Sequence, residues 1–595
     1  MTAPTPAPLV DVRGLTVSFG GGAPVVSGLD LSVAPGESVA LVGESGSGKS
    51  VTARALLGLA DGGRGGGRAR VTADAFRIAG HDLRGRDGRV AAPAGLWRRI
   101  RGGDVALVLQ DALTSLDPLR PVGREIDDAL RLHTRLSPTG RAARVRELLA
   151  AVGLSGDGTD TGALRPGALS GGMRQRALIA AGLSGAPKLL IADEPTTALD
   201  ATVAARILDL LADLRAPADG SPAAGMGQLL ISHDLAVVSR VAEKVLVMRA
   251  GEVVESGPTA EVLADPQHEY TRMLLAAVPA GKPRGTRLCL PGATGTTAPP
   301  PPAARATPPA PAPTPATAAG AAADPALEAA GLVKMFTRRD EAGRAVAFRA
   351  VDDVSFSLAA GTTLGIVGES GSGKTTTARM ALGLTDPDAG RVDLFGAPFA
   401  GDRGDGHPVA EAARRPRRPQ LGAVYQDPLS SFDPRMSVGA LLADAVSGGR
   451  TRRAGAHRRR IGELLDMVGL DAGASARHPR SLSGGQRQRV AIARALAPGP
   501  RVLICDEPVS ALDVSVQAQI LDLLDDLQRD LGLSYLFISH DLAVVRHVSD
   551  QLLVMRGGRV VESGETEQVF SDPQEQYTRD LLAASPALRA AAPGD

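Results

Sequence analysis

Three short apolar runs that end in polar residues recur twice along the chain. SVALVG, KLLIADE and QLLISHD lie in its first half, and TLGIVG, RVLICDE and SYLFISH in its second. A run without alternation suits a strand buried on both faces, as in parallel sheets whose C-terminal ends carry the chemistry. ARALLGL and ARMALGL follow the first run of each half at helical spacing, and ARVRELLAAVGL and RRIGELLDMVGL follow further on. The pattern predicts an α/β fold with two parallel-sheet cores, each carrying an inserted helical subdomain.

The duplication is explicit in repeated strings. GESGSGK occurs at 43–49 and 368–374, SGG at 170–172 and 483–485, DEP at 193–195 and 506–508, ALD at 198–200 and 511–513, and ISHDLAVV at 231–238 and 538–545. The separation between copies falls from 325 residues to 313 and then 307, so the second copy is shorter in at least two places. Two stretches of the first copy account for part of this: DGGRGGGRAR at 61–70 and APADGSPAAGMG at 216–227, read as surface insertions. Between the copies, residues 291–320 hold ten prolines among Ala, Thr and Gly. Such a stretch lacks the apolar groups to pack, and at ~3.1 Å per residue it spans up to roughly 90 Å. The expected organisation is a first domain over 1–280, a spacer over 281–325 and a second domain over 326–595.

Composition narrows the function classes. The chain has 595 residues, 44% of them hydrophobic, with 66 Lys and Arg against 65 Asp and Glu. That balance provides no global field for nucleic acid or anionic lipid, and no nucleic-acid partner is expected. Much of the surplus of 71 glycines and 43 prolines falls in the spacer and the insertions. The two cysteines, Cys289 and Cys505, are too few for a disulfide framework or a zinc site. No run of 18 apolar residues occurs, so any membrane role is expected to come through partners, without direct insertion.

The repeated strings carry phosphate chemistry. GESGSGKS at 43–50 and GESGSGKT at 368–375 fit G-x-x-x-x-G-K-[ST] between an apolar strand and a helical pattern. Gly43, Gly46 and Gly48, with Ser45, and Gly368, Gly371 and Gly373, with Ser370, would curl backbone N–H groups around phosphate oxygens. Lys49 and Lys374 would reach the β- and γ-phosphates, and Ser50 and Thr375 would ligate Mg²⁺. Asp193 and Asp506 end apolar strands and are candidates to orient the hydrated Mg²⁺. Glu194 and Glu507 would then polarise the attacking water, and His233 and His540 would contact the γ-phosphate.

These residues resemble the nucleotide-binding subunits of ABC transporters. LSGGM at 169–173 and LSGGQ at 482–486 are similar to that family's signature sequence, and ALD at 198–200 and 511–513 to its D-loop. The resemblance implies two tandem P-loop NTPase cassettes, each a parallel-sheet core with an antiparallel β subdomain and an inserted α-helical subdomain. It makes Gln110 and Gln426 the glutamine-loop residues at the metal, and Phe19 and Phe336 the aromatics that stack on adenine. It also implies a head-to-tail pair within one chain, each ATP lying between one phosphate loop and the other cassette's signature helix. Ser170, Gly171 and Gly172 would complete the site of Lys374, and Ser483, Gly484, Gly485 and Gln486 the site of Lys49. The serines read as helix N-caps, so a hydroxyl, bare N–H groups and a positive dipole end would converge on phosphate. Both catalytic sets are complete, and two hydrolytic sites are expected although Met173 stands where the other copy has Gln486.

Within the family, QDALTSLDP (110–118), QDPLSSFDP (426–434) and the C-terminal elements GPTAEVLADPQHEYTRMLLAAVP and GETEQVFSDPQEQYTRDLLAASP resemble the importers of oligopeptides, dipeptides, glutathione and nickel. Ala112 in place of Pro428, and Gln576 within the usual His-Pro pattern, depart from it. Cys289 is alone where some relatives cluster cysteines, so no iron-sulfur centre is expected. The implied partners are two transmembrane permease subunits and an extracytoplasmic solute-binding protein, with the chain peripheral at the cytoplasmic face of the membrane. A peptide importer ATPase is the expected function, and a nickel or other small-solute importer ATPase an alternative. A soluble tandem cassette on ribosomes fits less well, because the spacer is Pro/Ala-rich where that branch carries a charged helical linker.

Overall fold

The computed structural model describes residues 7–60, 69–110, 112–155, 160–197, 199–215, 225–289, 325–339, 345–402 and 407–585. The chain divides into two compact units, Met1–Leu275 and Ala276–Asp595.

The first unit is built on a six-stranded sheet in the order Glu252–Pro258, Lys244–Arg249, Ser38–Val42, Gly227–Ser232, Leu189–Asp193, Val105–Val108. All neighbours are parallel except the edge strand Glu252–Pro258. The three expected runs form its centre and are buried along their whole length, which is why they read as unbroken apolar sequence. A second, antiparallel sheet pairs Val10–Phe19 with Val26–Val33, Ala69–Thr72 and Ala75–Ile78. Its strands alternate buried and exposed positions, and the inner face, Val12, Leu29, Leu31 and Phe76, joins one core with Leu41 and Ile191 of the parallel sheet.

The helical subdomain contains Val122–His133 and Pro138–Ala151. Ser137 caps the latter by accepting from the Gly140 N–H, with Pro138 at the first helical position. Ile126, Leu130, Leu148 and Leu149 bury one face of the pair against Ile179 and Leu183 around the helix Gly171–Gly182. Burying such side chains contributes about 1.5–3 kcal/mol each, which offsets the cost of ordering an inserted segment.

The second unit repeats the plan. Its parallel sheet runs Leu421–Val424, Val502–Asp506, Ser534–Ile538, Thr363–Val367, Gln551–Arg556, with Arg559–Glu565 antiparallel at the edge. The antiparallel sheet is dominated by a long hairpin, Leu327–Arg339 against Ala345–Leu358. Helices Val438–Val446, Arg458–Met467 and Gly484–Leu496 form the helical part.

Two boundaries differ from the sequence expectation. The stretch 216–227 is not wholly a surface insertion: 216–224 lie outside the described residues, but Met226 is 2% exposed and Gly227 opens a central strand. A Cβ on Gly227 would stand 2.8 Å from Leu9 Cδ1 and 3.0 Å from the Ala34 carbonyl. Likewise 61–68 are not described, whereas Ala69 and Arg70 begin a strand paired to Phe19 and Ser18.

Residues 281–289, the start of the expected spacer, pack within the second unit on the helix Val514–Leu531. Asp522 accepts from the Leu288 and Cys289 N–H groups at 3.0 and 3.1 Å, Arg284 donates to Gln528 at 2.9 Å, and Arg287 pairs with Asp526 at 2.8 Å. Leu288 is fully buried, and burial pushes the Cys289 thiol up to about 12. The rest of the spacer, 290–324, lies outside the described residues. Among the described residues no helix is long and apolar enough to cross a membrane.

Candidate functional site

Each unit gathers its repeated strings at the C-terminal ends of its parallel strands, because the loop, the acidic pair and the histidine each follow one of three adjacent strands. The loop after Ser38–Val42 closes onto the helix Lys49–Leu56. Glycine is demanded at both ends of this loop. Gly43 has φ +154° and a Cβ there would lie 2.2 Å from the Met248 carbonyl; Gly48 has φ +106° and packs on the Val25 carbonyl. Gly46 at φ +83° and exposed Ser45 form the tip. Lys49 is buried, and its ammonium donates to the carbonyls of Gly43 at 2.6 Å and Glu44 at 2.8 Å.

The copy in the second unit is nearly superimposable in its bonding. Lys374 donates to Gly368 at 2.7 Å and Glu369 at 2.9 Å, with Gly371 at φ +82°, Gly373 at φ +104° and Ser370 exposed.

The hydroxyls that follow the lysines meet the aspartates. Ser50 Oγ donates to Asp193 Oδ1 at 3.1 Å, and Thr375 Oγ1 to Asp506 Oδ1 at 3.2 Å. Burial pushes both aspartates up, and the hydroxyl bond opposes that shift in each. A hydroxyl beside a carboxylate is a hard oxygen pair that suits Mg²⁺, which takes few protein ligands and completes its shell with water and phosphate oxygens. Among the described residues no group of three or more His, Cys, Asp or Glu forms a self-sufficient metal cage. The donor set therefore fits a metal brought with a phosphate ligand.

Glu194 and Glu507 stand in left-handed backbone, φ +50° and +51°, where a non-glycine residue costs about 1–2 kcal/mol. The turn is pinned by the N–H of Glu194 donating to the Ile231 carbonyl and that of Glu507 to Ile538, both at 2.9 Å. It aims each carboxylate at two partners. Gln110 Nε2 donates to Glu194 Oε2 and Gln426 Nε2 to Glu507 Oε2, each at 2.7 Å. His233 Nδ1 lies 3.3 Å from Glu194 Oε1, and His540 Nδ1 3.2 Å from Glu507 Oε1. Burial pushes both glutamates up, but the histidine bond and charge outweigh it and hold them below the ordinary carboxylate value. His540 is moved the other way: burial opposes its charge, and Glu507 raises it above the ordinary imidazole value. An ionised carboxylate held by an amide and an imidazole beside a phosphate loop can orient water and accept its proton.

Ser170 and Ser483 cap their helices by accepting from the N–H groups of Met173 and Gln486, both at 3.3 Å. Gly172 and Gly485 serve packing as well: a Cβ there would lie 2.1 Å from Val203 and 2.5 Å from Val516, while Gly171 and Gly484 face Leu199 and Leu512. The D-loop residue Ala198 lies outside the described residues. Phe19 is half-buried against the antiparallel sheet. Phe336 is 41% exposed and pairs across the hairpin with Phe348, ring centroids 6.1 Å apart, with Lys334 over its face.

Some partners were not read from sequence. Thr197 Oγ1 donates to Glu194 Oε2 at 3.0 Å, and Phe348 joins Phe336 although it lies 12 residues along. The hydroxyls of Tyr270 and Tyr577 accept from the loop N–H groups of Glu44 and Glu369, both at 3.1 Å. The repeated YTR string in the two C-terminal elements was the available signal.

Comparison with known proteins identifies the family. The family described as ABC transporter matches residues 26–197 and 351–510, and the family described as oligopeptide/dipeptide transporter, C-terminal region, matches 254–300 and 561–594. Over its length the chain is 41% identical to the peptidoglycan transport ATP-binding protein YejF of Agrobacterium fabrum, covering 97% of this chain and 96% of that protein. It is 41% identical to the glutathione import ATP-binding protein GsiA of Pectobacterium atrosepticum, covering 97% and 89%. It is 40% identical to the oligopeptide transport ATP-binding protein OppD of Mycobacterium tuberculosis, covering 98% of each. The chain belongs to the ABC transporters, as a tandem ATP-binding protein of the oligopeptide, dipeptide and glutathione importer subfamily whose ATPase activity is coupled to transport.

Proposed function

We propose that both loops hold MgATP and that both sites hydrolyse it to energise peptide import. The observation that carries this is the matched pair of glutamates, each held by a glutamine amide at 2.7 Å and by a histidine at 3.3 or 3.2 Å. Neither unit lacks a member of the set, which supports hydrolysis at both sites.

The phosphates lie against the N–H groups of Gly43–Ser50 and Gly368–Thr375, where the helix N-terminus favours negative charge. Lys49 and Lys374 exchange their carbonyl acceptors for β- and γ-phosphate oxygens. Ser50 with Asp193, and Thr375 with Asp506, would hold Mg²⁺, which when bound would neutralise phosphate charge. Gln110 and Gln426 are placed to sense that metal and the attacking water through the glutamates. Glu194 and Glu507 orient water in line with the γ-phosphate and take its proton, while His233 and His540 fix the carboxylates and present a ring N–H toward the phosphate. Ser170 and Ser483, with the glycines that follow, offer a hydroxyl and a helix N-terminus suited to a γ-phosphate. Phe19 and Phe336 supply the adenine faces.

The permease complex comprises two transmembrane subunits and an extracytoplasmic solute-binding protein, and the chain sits at the cytoplasmic face through them. Two of the three relatives reported above are named for glutathione or oligopeptide transport, which supports peptides as cargo. Lys49→Ala combined with Lys374→Ala in the full chain tests the reading. Loss of both ATP turnover and peptide uptake by the assembled transporter is expected; ATP turnover that survives the double variant refutes it.

A further inference from the structure

In each unit the C-terminal region reaches the phosphate loop through one tyrosine. Tyr270, on the helix Glu269–Ala276, accepts from the Glu44 N–H at 3.1 Å, and Tyr577, on Gln576–Ala584, accepts from the Glu369 N–H at 3.1 Å. Both rings are buried, 2% and 8% exposed. The guanidinium of Arg249 lies 5.1 Å from the Tyr270 ring centre, and that of Arg556 lies 4.8 Å from that of Tyr577. These arginines end the strands whose Met248 and Met555 carbonyls press on Gly43 and Gly368. Ring, strand end and loop are therefore one packed assembly.

The bonded group matters more than the contact. The Glu44 N–H and the Gly43 carbonyl belong to one planar, trans peptide unit, so they point in opposite directions. The tyrosine holds the N–H end, and Lys49 donates to the carbonyl end at 2.6 Å. The second unit repeats this, with Tyr577 on the Glu369 N–H and Lys374 on the Gly368 carbonyl at 2.7 Å. When the lysine turns to phosphate, one end of the plane is released. The tyrosine then prevents the loop's first peptide from rotating.

We propose that Tyr270 and Tyr577 are positioning residues that lock the Gly43–Glu44 and Gly368–Glu369 peptide planes, and so tie nucleotide affinity to the C-terminal region that the importer subfamily shares. Both tyrosines fall within the stretches matched to that region, 254–300 and 561–594. The inference rests on the loops holding the phosphates, as proposed above.

Tyr270→Phe combined with Tyr577→Phe in the full chain keeps both rings and removes only the hydroxyls. A net hydrogen bond of ordinary strength corresponds to roughly five- to tenfold in an equilibrium constant. The KM for ATP and the Kd for ADP are expected to rise by about that factor, with kcat within about twofold of the parent. Unchanged KM and Kd, or a fall in kcat alone, overturns the proposal. A purely structural role would lower the melting temperature and leave nucleotide affinity intact, which also overturns it. Biosynthetic 3-fluorotyrosine provides a readout that needs no folded variant: the chain has only four tyrosines, and the ¹⁹F resonances of Tyr270 and Tyr577 are expected to shift on addition of ATP. No shift at either contradicts the proposal. Lys49→Ala with Lys374→Ala separates the two ideas. If that variant keeps full nucleotide affinity, the loop assignment fails; if it loses affinity while the phenylalanine variant does not, only the tyrosine inference fails.

Discussion

Gln110 donates its side-chain amide to the Glu194 carboxylate at 2.7 Å across 84 residues of sequence. Gln426 and Glu507 repeat the bond at the same distance. Because Lys49 and Lys374 reach the phosphates independently of these amides, Gln110→Ala with Gln426→Ala is expected to leave the Kd for ATP within about threefold. The glutamates, freed of one partner, lose part of their orientation, and kcat is expected to fall roughly tenfold or more. Steady-state turnover beside equilibrium ATP binding checks both halves of this expectation.

The Glu507 and His540 pair predicts a pH profile. Burial raises a carboxyl, but His540 holds Glu507 below its ordinary value, and the same contact lifts His540 above 6.5. The histidine contribution to stability is complete below pH 6.5 and is lost as pH rises through the raised folded value. The carboxylate contribution is complete above its ordinary value and is lost only as pH falls through the depressed one. His540→Gln is expected to flatten the alkaline side of the stability profile and to move the acid limb of ATP turnover to higher pH, since burial then dominates Glu507. Thermal unfolding and turnover between pH 4 and 9 measure the two effects.

Met173 breaks the symmetry of the signature helices. Gln486 Oε1 accepts from the Ser483 N–H at 3.2 Å and completes a capping box, which a thioether at 173 does not. Met173→Gln is expected to stabilise the first unit by about 0.5–1 kcal/mol, and Gln486→Met to destabilise the second by a similar amount. Differential scanning calorimetry of the two variants checks the opposite signs.

Asp522 holds the backbone of Leu288 and Cys289 at 3.0 and 3.1 Å from the buried face of the helix Val514–Leu531. Asp522→Ala leaves two N–H groups without their acceptor, a cost of about 1.5–3 kcal/mol for bonds to a charged group. Faster proteolysis at Arg284 and Arg287 is the expected outcome, measured by limited trypsin digestion.

Much of this arrangement was legible in the sequence, for stated reasons. The unbroken apolar runs gave away the buried parallel strands, and Gly-rich loops between strand and helix placed Lys49 and Lys374. Ser170 and Ser483 were readable as caps because capping is local. What escaped was long-range. No spacing rule links Gln110 to Glu194 or Tyr270 to Glu44; the fold makes those neighbours. Composition also misled where it was averaged over a stretch. GKPRGTRLC reads as spacer, yet Arg284, Arg287 and Leu288 anchor it, and Met226 and Gly227 are core residues at the end of a loop-like string. The left-handed turn at Glu194 and Glu507 left no trace in residue type at all.

Vanadate trapping of 8-azido-ATP in the assembled transporter, followed by ultraviolet crosslinking and peptide mass spectrometry, tests most directly that both glutamate sets hydrolyse ATP. Two hydrolytic sites predict trapped nucleotide on peptides from both halves of the chain, lost from one half with Glu194→Gln and from the other with Glu507→Gln. Label confined to one half of the parent protein would contradict it.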